Sequence, residues 1–192
     1  MAFSDFEAEQ IRKALLKETR RCAVTLGMRK TSVDQLTQAV GISKGSFYKF
    51  YDSKELLFFA VLEDIHTELY EVADLALREN NALPPAARTA AAILAVCERM
   101  SDTGVMTFIE NDVTPLLQRL PENIKSEHYH DDETHIRALL EANALHPRGG
   151  AELATATVRG LILTISHREQ IGELYPQVLR LLVYGACAEL FS

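Results

Sequence analysis

Residues 31–54, TSVDQLTQAVGISKGSFYKFYDSK, leave this chain few options, because they read as two short helices hinged at a glycine. Thr31 and Ser32 offer hydroxyl N-caps, and Gln35, three residues after Ser32, can return a bond to the cap backbone. Val33, Leu36 and Val40 recur at helical spacing, so one face must pack inward. Gly41 is suited to the left-handed conformation at a helix end, with Ile42 tucked behind it. Ser43 caps a second helix in which Phe47 has to face inward. That turns Lys44, Gly45, Ser46, Tyr48 and Lys49 outward. Hydroxyls and lysines reach phosphates and base edges, a glycine lets a backbone approach closely, and a tyrosine combines a flat face with a hydroxyl.

Charge is distributed as a nucleic-acid reader requires. The chain of 192 residues has a net charge of −7, yet residues 1–54 hold 10 Lys+Arg against 6 Asp+Glu, and the remainder 10 against 21. A basic head on an acidic body is the asymmetry expected of a DNA-binding segment joined to a different module. A hydrophobic content of 47% is enough for a sizeable core, and two unequal domains sharing a helix fit the length. There is no run of 18 uncharged apolar residues, and the start MAFSDFEAEQ is acidic, so neither a membrane span nor a secretory leader is expected. Cys22, Cys97 and Cys187 are odd in number, far apart and set in apolar contexts, which fits free buried thiols in a reducing cytoplasm. No nucleophile elbow, phosphate-cradling glycine loop or HExxH occurs, so neither an enzyme nor a cofactor is expected.

The remaining pattern predicts an all-α chain of about nine helices. A first helix runs over 6–26 with Ile11, Leu15, Cys22 and Leu26 inward and Arg12, Lys13, Lys17, Arg20 and Arg21 outward. Ser53 caps a fourth helix over 54–80, about 40 Å long and able to bridge two domains. NNALPP breaks the chain, a fifth helix covers 86–101, and Gly104 and Pro115 break the next stretch into one or two short helical pieces. Pro121 opens a helix reaching 144, HPRGG turns the chain, and two helices over 151–167 and 175–190 complete it.

The basic first helix, T-S-V-D-Q-L, A-V-G-I-S-K-G-S-F-Y, the following aromatics and D-S-K-E-L-L together resemble the TetR family of one-component bacterial regulators, over residues 8–64. The resemblance implies a three-helix DNA-binding head, residues 1–53, and a helical effector-binding and dimerisation domain, residues 54–192. It implies a cytoplasmic, ligand-responsive repressor that binds a pseudo-palindromic double-stranded operator as a homodimer. Its phosphate and base contacts would fall on Thr31, Ser32, Ser43, Lys44, Gly45, Ser46, Tyr48, Lys49 and Lys54. The alternative is a helical small-molecule or metal-binding protein without sequence-specific DNA binding.

The last helix bears on assembly. Val178, Leu179, Leu181, Leu182, Val183, Tyr184 and Ala186 leave only Arg180 polar, so apolar groups surround the helix and it needs cover on two sides. With Ala154, Val158, Leu161 and Ile165 on the preceding helix, and Val178, Leu182 and Gly185 here, the pair reads as a face that joins its copy in a four-helix bundle. An organic effector held between the central helices would meet Phe58, Met100, Met106, Phe108, Tyr129, Arg137, His167 and Tyr175. His128, Asp131 or Asp132, and His135 share a helical face at metal-ligand spacing, but a solvated acidic helix explains them more simply, and no metal is assigned.

Overall fold

The computed structural model describes residues 3–191, except for the side chains of Glu127, Tyr129, His130 and Asp132. Among the described residues the regular elements are all helical. In chain order they are α1 (Asp5–Thr25), α2 (Val33–Val40), α3 (Lys44–Phe47), α4 (Lys54–Glu79), α5 (Pro85–Asp102), α6 as a continuous helical run over 105–119, α7 (Glu122–Ala142), α8 (Gly150–Leu163) and α9 (Tyr175–Leu190), with short helical turns over 164–174. None is long and apolar enough to cross a membrane.

Several helix bounds differ from the sequence reading, most of all at α8, which ends at Leu163 rather than 167 because a 3-10 turn over Thr164–His167 takes over. α1 begins at Asp5 because Ser4 caps it: Glu7 N–H donates to Ser4 Oγ at 3.3 Å, and Ser4 N–H donates to the Glu7 carboxylate at 2.8 Å. Of the one or two pieces expected after Gly104, the structure has one, α6, which runs through Pro115. It passes through a π-helical turn, Ile109–Val113, and resumes as Thr114–Arg119 with the proline in its first turn. The widened turn accommodates a residue that lacks an N–H and whose ring would press on the carbonyl four residues back.

The chain forms two compact units. The first comprises residues up to 66 together with 104–122. Its helix-turn-helix end closes on Leu15, Cys22, Leu36, Phe47 and Leu57, with Ile11, Val33, Val40, Ile42 and Phe50 partly buried around them. Leu26, expected inside, lies exposed at the end of α1. Phe58, Val61, Leu62 and Ile65 of α4 are fully buried, as are Val105, Met106, Phe108 and Leu116 of α6, and the Phe58 and Phe108 rings meet at 6.0 Å. A boundary at residue 53 therefore does not coincide with the compact units, since the opening turns of α4 and the whole of α6 bury their apolar faces in this one.

The second unit comprises 67–103 and 123 onward. Its core gathers Ala76, Leu77, Ala92, Leu140, Leu145, Ala154 and Leu190. Arg88 ties helix ends together there: its guanidinium donates to the Leu77 carbonyl at 2.7 Å, to the Asn143 carbonyl at 3.0 Å and to Asn143 Oδ1 at 2.6 Å. Those carbonyls are the ones that a helix C-terminus leaves without partners.

All three cysteines are free and buried. Burial pushes the Cys97 and Cys187 thiols up to about 11. At neutral pH their thiolate fraction is then on the order of one in ten thousand. A disulfide reagent is accordingly expected to label neither thiol in the native protein and to label both once guanidinium unfolds it; rapid labelling of the native chain would contradict this burial.

Candidate nucleic-acid interface

The two helices of the head are capped as their sequences require. Ser32 accepts the Gln35 N–H at 3.2 Å, and Gln35 Oε1 accepts the Ser32 N–H at 2.7 Å. Gly41 sits at φ 79°, and its N–H and that of Ile42 both reach the Thr37 carbonyl, at 2.9 and 3.0 Å. These two hydrogen bonds to one carbonyl turn the chain sharply between α2 and α3. Ser43 caps α3 by accepting the Ser46 N–H at 3.1 Å. Phe47 is fully buried, and Tyr48, half exposed, rests edge-on against it at 5.3 Å. A methyl group added at Gly45 would meet only Ser43 Oγ, at 3.9 Å. The fold does not demand glycine there, and its effect is to leave the backbone of α3 bare on the outside.

Ser32, Ser43, Lys44, Gly45, Tyr48 and Lys49 are exposed, and Ser46 is half-buried. Lys44 pairs with Asp34 at 3.0 Å across α2 and α3, and this exposed pair raises the lysine's pKa through the carboxylate bond. Such surface pairs contribute little and are easily exchanged for another anion. Lys49 lies 5.8 Å from the centre of the Phe3 ring.

Two of the residues expected at DNA have partners within the chain. Thr31 is 2% exposed and its hydroxyl donates to the Gly27 carbonyl at 2.8 Å, so it belongs to the loop's internal bonding. Lys54 is also turned inward, donating to the Met28 carbonyl at 2.8 Å and the Thr31 carbonyl at 2.7 Å. An ammonium has three donors, and two of these are spent on the backbone. The cations that do stand free beside this surface, Arg29 and Lys30, are exposed and have no partner among the described residues. Sequence reasoning passed over them, although two adjacent cations directly before a Thr-Ser cap were visible.

The residues expected around an effector do not gather. Phe58, Met106 and Phe108 are core of the first unit, and Met100 and Tyr175 core of the second. Tyr175 shares a hydrogen bond of 3.3 Å with the Thr164 hydroxyl, and its phenol is raised chiefly by burial. Arg137 is exposed and bonded to Glu133 at 2.7 Å, and His167 is exposed. The Tyr129 side chain lies outside the described residues. In the second unit an open groove of about 390 Å³ runs between Thr67, Tyr70, Glu71 and Asp74 of α4 and His135, Ala138, Leu139 and Ala142 of α7. His135 stacks on Tyr70 at 4.9 Å and its Nδ1 lies 2.8 Å from the Asp131 carbonyl oxygen. Of the residues considered for metal, His128 is buried, His135 is thus engaged, and the Asp132 side chain lies outside the described residues.

The apolar face is also displaced from its expected position. Ala154, Leu161 and Ile165 are buried within the second unit and are core. Val158 and Val178 are half-buried, whereas Leu182 and Gly185 are exposed. The exposed large apolar residues are instead Leu153 and Leu163 on α8, Leu174 just before α9, and Leu181, Leu182 and Tyr184 on α9, with Leu163 64% and Leu181 75% exposed. Leu179, Val183, Cys187 and Leu190 form the opposite, buried stripe of α9.

Comparison with known proteins agrees with this geometry. Residues 15–61 match the profile of the family described as bacterial regulatory proteins, tetR family. The HTH-type transcriptional repressor Rv1474c of Mycobacterium tuberculosis is 34% identical over 62 residues, 32% of this chain and 33% of that protein. The match thus spans about a third of that curated relative's length. The fold as a whole is similar to that of the transcriptional regulator SCO7518 of Streptomyces coelicolor A3(2), with a TM-score of 0.71 at 19% identity over 95% of this chain and 99% of that one. It is also similar to the SmeT–triclosan complex, with a TM-score of 0.61 at 13% identity over 95% and 92% of the two chains.

Proposed function

We propose that this chain, which belongs through its head to the tetR family of bacterial regulatory proteins, is a homodimeric transcriptional repressor that a small molecule releases from its operator. The observation that carries the DNA-binding part is the capped α2–Gly41–α3 pair, which leaves the bare backbone of Gly45, Tyr48, Lys44 and Lys49 exposed together at α3 and the turn after it. A helix of this kind enters a major groove, and two heads related by a two-fold axis read half-sites about 34 Å apart. The direction of regulation is supported by the relative named a repressor. Dimerisation is supported by the large apolar side chains exposed on α8 and α9, Leu153, Leu163, Leu181, Leu182 and Tyr184.

Release by a ligand is supported by α4, whose first half is built into the first unit and whose second half walls the groove of the second. A ligand shifts DNA affinity only by its differential affinity for two states, so a tenfold loss needs about 1.4 kcal/mol of coupling. SmeT, which has a similar fold, forms a complex with triclosan, which supports a fold able to hold a small molecule.

Selection of bound duplexes from a random pool at a fixed, stated salt concentration tests the reading. A palindromic or near-palindromic motif is expected, with affinity of order 10 nM that falls steeply as salt rises. If no sequence rises above background even at low salt, the protein is not a regulator of this kind.

A further inference from the structure

The loop between α1 and α2 is clamped from two sides by groups of opposite charge that are remote in sequence. From the start of α4, the Lys54 ammonium donates to the Met28 and Thr31 carbonyls at 2.8 and 2.7 Å. From the π-helical turn of α6, Asp112, only 6% exposed, accepts the Met28 N–H at 2.7 Å. Both backbone polar groups of Met28 are therefore held by side chains, and its own side chain is buried. Gly27, at φ +80°, completes the fit: a Cβ there would lie 3.0 Å from Asp112 Oδ2. The Thr31 hydroxyl closes the loop onto the Gly27 carbonyl.

Two residues of this loop are left out of the clamp. Arg29 and Lys30 point into solvent, without a partner among the described residues, whereas Lys44 and Lys49 nearby are engaged with Asp34 and the Phe3 ring. A short surface connection normally keeps its freedom. Here a buried carboxylate and a lysine are committed to removing it, and what stands on the fixed backbone is a pair of unpaired cations adjoining the Ser32 end of α2. A guanidinium offers a fork of donors that matches phosphate oxygens, and an ammonium a compact charge beside it. Ordering their backbone beforehand lowers the entropy lost when they engage.

We infer that Arg29 and Lys30 are phosphate contacts of the DNA interface, and that Lys54 and Asp112 are positioning residues that hold the loop presenting them. The inference rests on the DNA-binding reading above and names part of that interface. Phosphate contacts carry no sequence information, so their loss weakens operator and random duplex alike.

The test measures DNA affinity of the full-length protein against salt concentration, on the selected operator and on random duplex, with far-UV circular dichroism to check folding. In the double variant Arg29→Ala/Lys30→Ala, two heads lose four cations. The slope of log affinity against log salt is expected to shrink by about 3–4, at ~0.9 per phosphate, with equal weakening on both duplexes. Both substitutions are at exposed positions, so the fold is expected to survive them. Lys54→Ala is expected to weaken binding in the wild-type background and to add little in the double variant; Asp112→Ala behaves likewise, and Asp112→Asn, whose amide oxygen still accepts the Met28 N–H, retains wild-type binding. An unchanged salt slope in the double variant overturns the phosphate role. Equal weakening by Lys54→Ala in both backgrounds overturns the positioning role, because Lys54 would then contact DNA itself. A wild-type protein without salt-dependent, selective binding sinks the regulator reading as well, whereas normal wild-type binding beside an unchanged slope sinks only the role of this loop.

Discussion

Leu181→Glu is expected to leave each chain folded and to abolish both dimerisation and operator binding. Leu181 is 75% exposed on α9, so a carboxylate there meets water in the single chain and costs almost nothing. In a two-fold assembly through α8 and α9 the same residue from both copies enters one interface. An unpaired charge buried there costs several kcal/mol, and at 1.4 kcal/mol per factor of ten the dimer weakens by at least about a thousandfold. Leu179→Glu is the contrasting variant. Leu179 belongs to the buried stripe of α9, so its replacement is expected to unfold the chain rather than to release monomers. Light scattering and circular dichroism together separate the two results, and DNA binding should fall with the dimer because one head alone contacts too few phosphates. A Leu181→Glu protein that remains dimeric at micromolar concentration would remove α9 from the interface.

The same comparison shows what could be read from the sequence and what could not. In the head nearly every local rule points one way: Ser32 and Gln35 box the start of α2, Gly41 takes the left-handed turn, and Leu36 and Phe47 close the core. Hydroxyl caps and a glycine turn act over three or four residues, so their partners lie within the sequence window that predicts them. On α8 and the turn that follows it, the inward residues Ala154, Leu161 and Ile165 and the exposed Leu153 and Leu163 are alike apolar. Apolar type alone therefore does not separate the covered side from the open one, even though Glu152 and Arg159 stand exposed on the same helix.

Lys54 illustrates the opposite difficulty. Its type and position at the start of α4 suited a phosphate, but Met28 and Thr31, 26 and 23 residues earlier, present carbonyls to it. Asp112 reaches the same loop from 84 residues away. Side chain to backbone bonds across such separations leave no periodic trace. They arise only once α1, α4 and α6 have been packed, so the sequence displays the free cations Arg29 and Lys30 and the committed cation Lys54 in the same letters.

Phe58→Ala is expected to lower the stability of the protein by about 3–5 kcal/mol, the usual consequence of emptying a phenylalanine site in a close-packed core. A ring expected to face an effector should behave otherwise, since a cavity wall already lacks neighbours on one side and loses few contacts when truncated. Phe58 is fully buried and meets the Phe108 ring at 6.0 Å, with Val61, Leu62 and Ile65 buried on the same helix. Against a total stability of about 5–15 kcal/mol, such a loss reads clearly in a denaturant titration as a lower midpoint with an unchanged slope. Phe58→Leu, which keeps most of the volume, is expected to cost about 1.5 kcal/mol or less. Phe58 lies one helical turn beyond Lys54 on α4, so the cavity loosens the platform from which Lys54 holds the Met28 and Thr31 carbonyls. Operator affinity of the folded fraction should therefore fall with Phe58→Ala while its salt slope stays near that of wild type, because no cation has been removed. If Phe58→Ala unfolds at the wild-type midpoint, the ring is not core and belongs to a cavity after all.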